Sequence, residues 1–137
     1  MGPPTTLTVT LSPTAVTVGV GESLSIAATV RDETGRVVSG HAVAWTSSDE
    51  AVATVGSGGT VQGLAPGQVT ITATVSLNGT TDSATASVTV VQEATTVSVT
   101  PSTTSVPAGE TVQFTAEVLD GLGGVIDGAA ATWTSSD

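Results

Sequence analysis

The chain has no cysteine, no lysine and no tyrosine, and its large aromatics are one phenylalanine and two tryptophans. Without cysteine no disulfide can tie together a small β domain, and the redox compartment cannot be read from thiol usage. Without lysine, Lys-Asn isopeptide cross-links are excluded as well. Only Arg31 and Arg36 oppose twelve carboxylates, which sets the formal net charge at −10. Nucleic-acid binding depends on clustered cations that displace counterions, and attraction to an anionic bilayer needs the same charge, so both partners are excluded. The carboxylates instead keep a threonine-rich, low-charge surface soluble. No apolar run approaches the length of a signal-peptide core or a membrane span. Residues 1–5 are expected to be an N-terminal segment, and the visible start an added one or a slice of a longer chain.

Thr, Ser, Val, Ala and Gly dominate, and charged residues make up 10% of the chain. That is well below the roughly 25% usual in globular proteins. Abundant, regularly spaced β-branched residues and a mean hydropathy of +0.35 place it far from disordered chains. A β-rich fold with a core is expected.

Residues Thr8–Asp49 recur 88 positions later, without insertion, as Thr96–Asp137. Pro13 answers to Pro101, Gly21-Glu22 to Gly109-Glu110, Asp32 to Asp120, Gly35 to Gly123, Gly40 to Gly128, and Trp45-Thr-Ser-Ser-Asp49 to Trp133-Thr-Ser-Ser-Asp137. This period is too long for a helical or propeller repeat and suits a file of small domains. The expected organisation is a complete domain at 6–91, a short linker at 92–95 and an incomplete second domain at 96–137.

Period-two alternation runs throughout the first copy. Leu7, Val9 and Leu11 alternate with threonines until Pro13; Val16, Val18 and Val20 then resume the pattern, as in an edge strand that changes partner. Leu24, Ile26, Ala28 and Val30 read as one half-buried antiparallel strand. Asp32-Glu-Thr-Gly35 supplies a turn, Val43 and Trp45 share a face, and Ala51–Val55, a Gly56–Gly59 turn and Val61–Leu64 follow. Val69, Ile71, Ala73 and Val75 then lead through Asn78-Gly79, a strong type I′ hairpin signal, to Ala84, Ala86, Val88 and Val90. About seven short strands at turn spacings of roughly 8–12 residues indicate an immunoglobulin-like β-sandwich. Trp45 is expected to be the inter-sheet filler, with Ala28 and Ala73 making room for its indole, and Trp133 and Phe114 are its core counterparts in the second copy.

Several blocks occur in order: Val18-Gly-x-Gly-Glu-Ser-Leu24, Ala28-x-Val-x-Asp-x-x-Gly35, Val43-x-Trp-Thr-Ser-Ser-Asp49, Val52-Ala-Thr-Val55, Gly59-x-Val-x-Gly-Leu-Ala-Pro-Gly67 and Val69-Thr-Ile-Thr-Ala-Thr74. This series resembles the bacterial Ig-like group 2 module, over Thr6–Val91 in full and over Thr96–Asp137 as a half. The resemblance implies tandem arrays on bacterial surface proteins such as intimin- and invasin-like adhesins, and use as a stalk or adhesive spacer. Similar modules occur in phage virion proteins and beside catalytic domains of secreted hydrolases. No catalytic residues come with the resemblance.

Chemistry in the residues themselves is sparse. His41 is the single histidine, the second copy has Ala129 in its place, and no Gly-x-Ser-x-Gly elbow accompanies it. Asp49 and Glu50 point to opposite faces of an extended chain and so make a poor acid–base pair. Thr-Ser-Ser-Asp reads as a turn that caps backbone amides. Asp32 with Glu33 is a weak calcium candidate, as is Glu93 near Asp82 or Asp120, because two carboxylates are few for a cage of six to eight oxygens. No other cofactor is expected. Asn78-Gly79-Thr80 also fits a glycosylation sequon.

The expectation is therefore a non-catalytic structural or adhesive module outside a bacterial cell, on the surface or secreted. Its expected partners are neighbouring modules, copies of itself, or a host or cell-surface protein or glycan. Two alternatives stand beside it: a filament or virion protomer whose half module a neighbour completes, and an accessory carbohydrate-binding module of a secreted enzyme. Phe114 and Trp133 are the interaction candidates, because a half module by itself exposes both.

Overall fold

The structure is a computed structural model that describes residues 6–39 and 41–137. The N-terminal segment 1–5 and Gly40 lie outside the described residues. The chain divides into two compact units, Met1–Val91 and Gln92–Asp137.

Among the described residues of the first unit the regular elements are strands: β1 (Leu7–Ser12), β2 (Ala15–Gly19), β3 (Ser23–Ser25), β4 (Ala27–Asp32), β5 (Ala42–Ser47), β6 (Ala53–Val55), β7 (Thr60–Gly63), β8 (Gly67–Leu77) and β9 (Thr80–Val91). A four-stranded sheet in the order β2-β9-β8-β5 faces two smaller ones, β1-β4 and β3-β7-β6. Their inward side chains form one core cluster, in which Ile26, Val30, Val61, Ile71, Val75, Val88 and Val90 are the largest fully buried residues. The fold is an all-β sandwich of immunoglobulin-like type.

The break at Ser12-Pro13 separates two pairings. β1 runs antiparallel to β4 in one sheet, and β2 runs parallel to β9 in the other. Proline, with no N–H to give to a ladder, suits that crossing point. One expectation needs correction. Leu24–Val30 is not a single strand: β3 pairs with β7 and β4 with β1, with Ile26 between them donating its N–H to Gly59 O at 2.9 Å. The inward phase survives the change of partner, which is why alternation alone could not reveal it. The hairpin at Asn78-Gly79 has positive φ at both residues, 51° and 80°.

The free edge of β1 is closed by a side chain. Val9 N donates to Asp82 Oδ2 at 2.8 Å, so a carboxylate on β9 satisfies an edge amide that no strand reaches. Asp82→Ala is expected to destabilise the module by about 1–2 kcal/mol, the usual result of stranding a partly buried donor. Asp82→Asn, which keeps an acceptor oxygen, should lose less. Urea midpoints of the two variants check this.

The second unit contains β10 (Thr96–Thr100) and β11 (Thr115–Leu119), paired antiparallel. Thr96 faces Leu119 and Val97 faces Val118, the same register as Thr8 with Arg31 and Val9 with Val30. The isolated bridge Arg31 to Val37 is repeated as Leu119 to Val125. Strand-like sequence around Val106, Val112–Phe114 and Ala131–Trp133, by contrast, forms no strand.

Candidate functional site

Trp45 lies on β5 directly opposite Ala73 of β8, which is fully buried. A methyl group added at Gly59 would come within 2.8 Å of Trp45 Cζ2, so the indole rests against the Gly56–Gly59 turn. The ring is half-buried and packs on the core cluster, as does Ala28. An open groove of about 420 Å³ runs along it, lined by Ile26, Ala28, His41, Val43 and Ser57 among others.

His41 in this groove has its Nε2–H directed at Val38 O, 2.9 Å away, while Nδ1 is buried with no hydrogen-bond partner. The nitrogen that a nucleophile would need as its base is thus buried and, among the described residues, hydrogen-bonds to no hydroxyl or carboxylate.

The Thr-Ser-Ser-Asp block is a capping structure. Ser47 Oγ donates to Ala53 O at 2.7 Å and accepts from Asp49 N at 3.3 Å. Ser48 Oγ accepts from Thr70 N at 2.9 Å, and Ser48 N donates to Thr70 O at 3.0 Å. Asp49 Oδ1 accepts from Ala51 N at 3.0 Å. The Ser47, Ser48 and Asp49 side chains thus satisfy backbone groups of the turn after β5 and of β6 and β8, which gives these three residues a structural role.

Asp32 behaves likewise. Its Oδ1 accepts from Thr34 Oγ1 at 2.6 Å, Thr34 N at 2.9 Å and Arg36 N at 3.1 Å, and Glu33 follows in the same turn. The Thr34 hydroxyl, with the two amides and the Arg36 charge, holds the Asp32 carboxyl below the usual carboxylate range. Asp82 is engaged with Val9, and Asp120 is held within the second unit, where Gln92 Nε2 donates to its Oδ2 at 3.0 Å. Among the described residues no three acidic, histidine or cysteine side chains gather as a metal cluster. Of the carboxylates considered for calcium, Asp32, Asp82 and Asp120 accept backbone amides at turns and at the edge of β1.

Asp120 is the buried charged residue of the described chain, 6% exposed. Its Oδ1 accepts from Leu122 N and Gly124 N, each at 2.9 Å. The Gln92 amide, then the two backbone amides, lower its pKa. The folded-state value lies below the unfolded one, so the bonded turn contributes full stability above about pH 4 and loses it as pH falls further. The Leu122 and Gly124 amide shifts are expected to stay flat from neutral pH to about pH 5 and to move only below that. Gln92→Ala should bring the midpoint upward, toward that of an unbonded aspartate; an NMR titration reads both.

Phe114 is half-buried, and its ring lies 6.3 Å from Trp133, tilted by 36°. Trp133 is 55% exposed, so it is not a core residue of the described second unit as its counterpart is of the first. The reason is the repeat frame: the elements that flank Trp45, the Gly56–Gly59 turn and β8, belong to Glu50–Val91, and Thr96–Asp137 repeats only Thr8–Asp49. Val97, Val99, Val106, Val112, Leu122 and Val125 are exposed with it. Val97, Val99, Val106 and Val112 answer to the inward Val9, Leu11, Val18 and Leu24, and that repetition is their sequence signal; Leu122 and Val125 answer to Thr34 and Val37, which are exposed in the first unit too.

The sequence profile of the bacterial Ig-like domain (group 2) matches residues 6–90, more than half of the chain. The chain belongs to the bacterial Ig-like group 2 family. Among solved structures, domains 4 and 5 of the S-layer protein SbsC resemble this group 2 chain with a TM-score of 0.54 and 30% identity, over 61% of this chain and 51% of that one. Domains 5–6 of the same protein give 0.53 and 25%, over 86% and 64%. A curated relative, the 3-O-alpha-D-galactosyl-alpha-L-arabinofuranosidase of Bifidobacterium longum subsp. longum, is 53% identical over 55 residues, 40% of this chain and 5% of the enzyme. The group 2 chain thus spans a small part of that enzyme and about half to two thirds of these S-layer fragments. No helix among the described residues is long and apolar enough to cross a membrane.

Proposed function

We propose that the chain is a non-catalytic structural module of an extracellular bacterial surface protein, one unit of a tandem array that works as a spacer and as a surface for packing against other modules. One observation carries this reading. The 88-residue repeat preserves strand register, with β10-β11 reproducing β1-β4, across the four residues 92–95. A linker that short, without a Gly/Ser run, favours semi-rigid spacing. The likeness to S-layer domains supports a surface setting, and the capping roles of Asp49, Asp32 and Ser48 leave the prominent polar residues occupied structurally.

The test is backbone ¹⁵N relaxation on the whole chain. A spacer requires β8, β9, β10 and β11 to report one common tumbling time, whereas a markedly shorter time for β10-β11 would mean a swivelling tail and would defeat the rigid-spacer reading.

The similarity to a glycosidase favours a second reading, an accessory carbohydrate-binding module. Trp45 beside its groove and the exposed Trp133 are the available stacking rings. Titration with galactose- and arabinose-containing oligosaccharides while tryptophan emission is followed decides between the readings. Saturable quenching supports the carbohydrate module; a flat response leaves the spacer.

A further inference from the structure

β5 forms one edge of the four-stranded sheet, with β8 on one side and, among the described residues, no strand on the other. Ser48 N donates to Thr70 O, and antiparallel bonding recurs at every second pair, so Ala42, Ala44 and Thr46 direct their backbone groups to β8. The Asn78-Gly79 hairpin requires the same phase: its closing pair, Leu77 with Thr80, commits residues 77, 75, 73 and 71 of β8 to β9. Val43 and Trp45 therefore turn their N–H and C=O groups to the free side, and among the described residues no backbone bond outside the ladder reaches them. Asp82 closes the edge of β1, β4 carries Arg31 and a bridge to Val37, and β3 and β6 have three residues each. β5, by contrast, has six residues and none of the charges, prolines or glycines that keep an edge from pairing. The groove of about 420 Å³ lies on its inward side, between Val43 and Trp45 and residues 26–28.

We infer that β5 is a strand-addition edge for β5 of a second copy of this chain, paired antiparallel about a two-fold axis at Ala44. In that register Val43 of each copy lies opposite Trp45 of the other, and the backbone groups that both leave free meet as hydrogen-bonded pairs. Val43 of one copy then covers the side of the other's indole that borders the groove. Charge favours a copy in this orientation. Each chain carries −10 overall, yet the edge that meets its mate has no charged residue. Antiparallel pairing turns the Asp49-Glu50 end of each β5 toward the connection that enters the other β5, which carries Arg36, whereas parallel pairing would align the two carboxylate ends. Ala42 and Ala44 are small and exposed on the outward face, so identical strands meet at the axis without a clash. The inference rests on the proposed packing of modules and names its surface. Relaxation within one chain tests the spacer separately, so the two can fail independently.

Light scattering of the whole chain over a concentration series, with amide exchange read by NMR, tests it. The mass is expected to rise from 13.3 kDa toward twice that value. The Val43 and Trp45 amides should gain protection as it does, while those of Ala44 and Thr46, already bonded to β8, change little. Ala44→Lys sets two like charges face to face at the axis and should raise the doubling concentration about tenfold or more, although it lowers the net negative charge that opposes any other association. Ala44→Glu should fail equally by itself, and an equimolar mixture of the two variants should dimerise again, as lysine meets glutamate across the axis. Ala44 is exposed, so both variants should keep the fold, which circular dichroism checks. A constant mass, doubling that Ala44→Lys leaves unchanged, or a variant mixture that stays monomeric each overturns the inference. Protection of Val43 and Trp45 only on adding a foreign extended peptide, with the chain alone monomeric, would give the edge to another polypeptide and overturn it as well.

Discussion

Gly59→Ala is expected to remove about 3–5 kcal/mol from the first module, a large share of the roughly 5–15 kcal/mol typical of a whole domain. Gly59 has φ +82°, where an L side chain costs about 1–2 kcal/mol. Its added Cβ would also run into Ile26 O and approach Trp45 Cζ2 to 2.8 Å. Neither neighbour can yield freely. The carbonyl is backbone at the point where the chain passes from β3 to β4, and the indole is backed by Ala73 on β8. Moving the turn aside would in addition break the Ile26 N to Gly59 O hydrogen bond. The control is Gly35→Ala, where φ is +85° but nothing lies within 4 Å of the added carbon. That variant should lose only the conformational part, about 1–2 kcal/mol. Urea unfolding of both variants by circular dichroism checks the difference. Equal losses would mean that the packing of the Gly56–Gly59 turn against Trp45 is not what fixes this position.

Trp45→Ala and Trp133→Ala, made in identical five-residue blocks, are expected to give opposite results. Removing the half-buried Trp45 should cost about 2–4 kcal/mol, toward the lower end for a tryptophan truncation because one side of the ring borders the open groove. Removing Trp133, 55% exposed, should change stability by no more than about 1 kcal/mol, since its ring contact with Phe114 is what it loses. Amide exchange at the β8-β9 hairpin separates the two effects: it should accelerate strongly for Trp45→Ala and not for Trp133→Ala. Comparable acceleration in both would contradict the burial difference.

Much of the first module is legible residue by residue. A strand needs only two-residue periodicity to declare its inward face, so Val69, Ile71, Ala73 and Val75 announce a buried row that the fold reproduces. Turn chemistry is equally local: the positive φ of Asn78 and Gly79, and the carboxylate of Asp32 bonded to Thr34 and Arg36, involve groups within a few positions of one another. The capping work of Ser48 is only half legible. Its place in a turn follows from residue type, but its partner Thr70 lies on β8, far along the chain. The bond from Val9 N to Asp82 is not legible in the sequence, because it depends on which strand end is folded against that carboxylate.

Residues 8–49 and 96–137 carry the same periodicity, the same turns and the same Trp-Thr-Ser-Ser-Asp block, and from these, with the blocks within residues 52–74, the sequence by itself determined the family, the β-sandwich class and the inward phase of the long strands of the first module. Tertiary structure alone decided which of those segments are strands. β1-β4 and β10-β11 form in both copies because each half contains both partners, whereas β2, β3 and β5 exist only where β9, β7 and β8 supply their hydrogen bonds. The physical reason is that side-chain alternation is a property of a chain, while a β-strand is a property of a pair, whose partner can lie anywhere in the sequence.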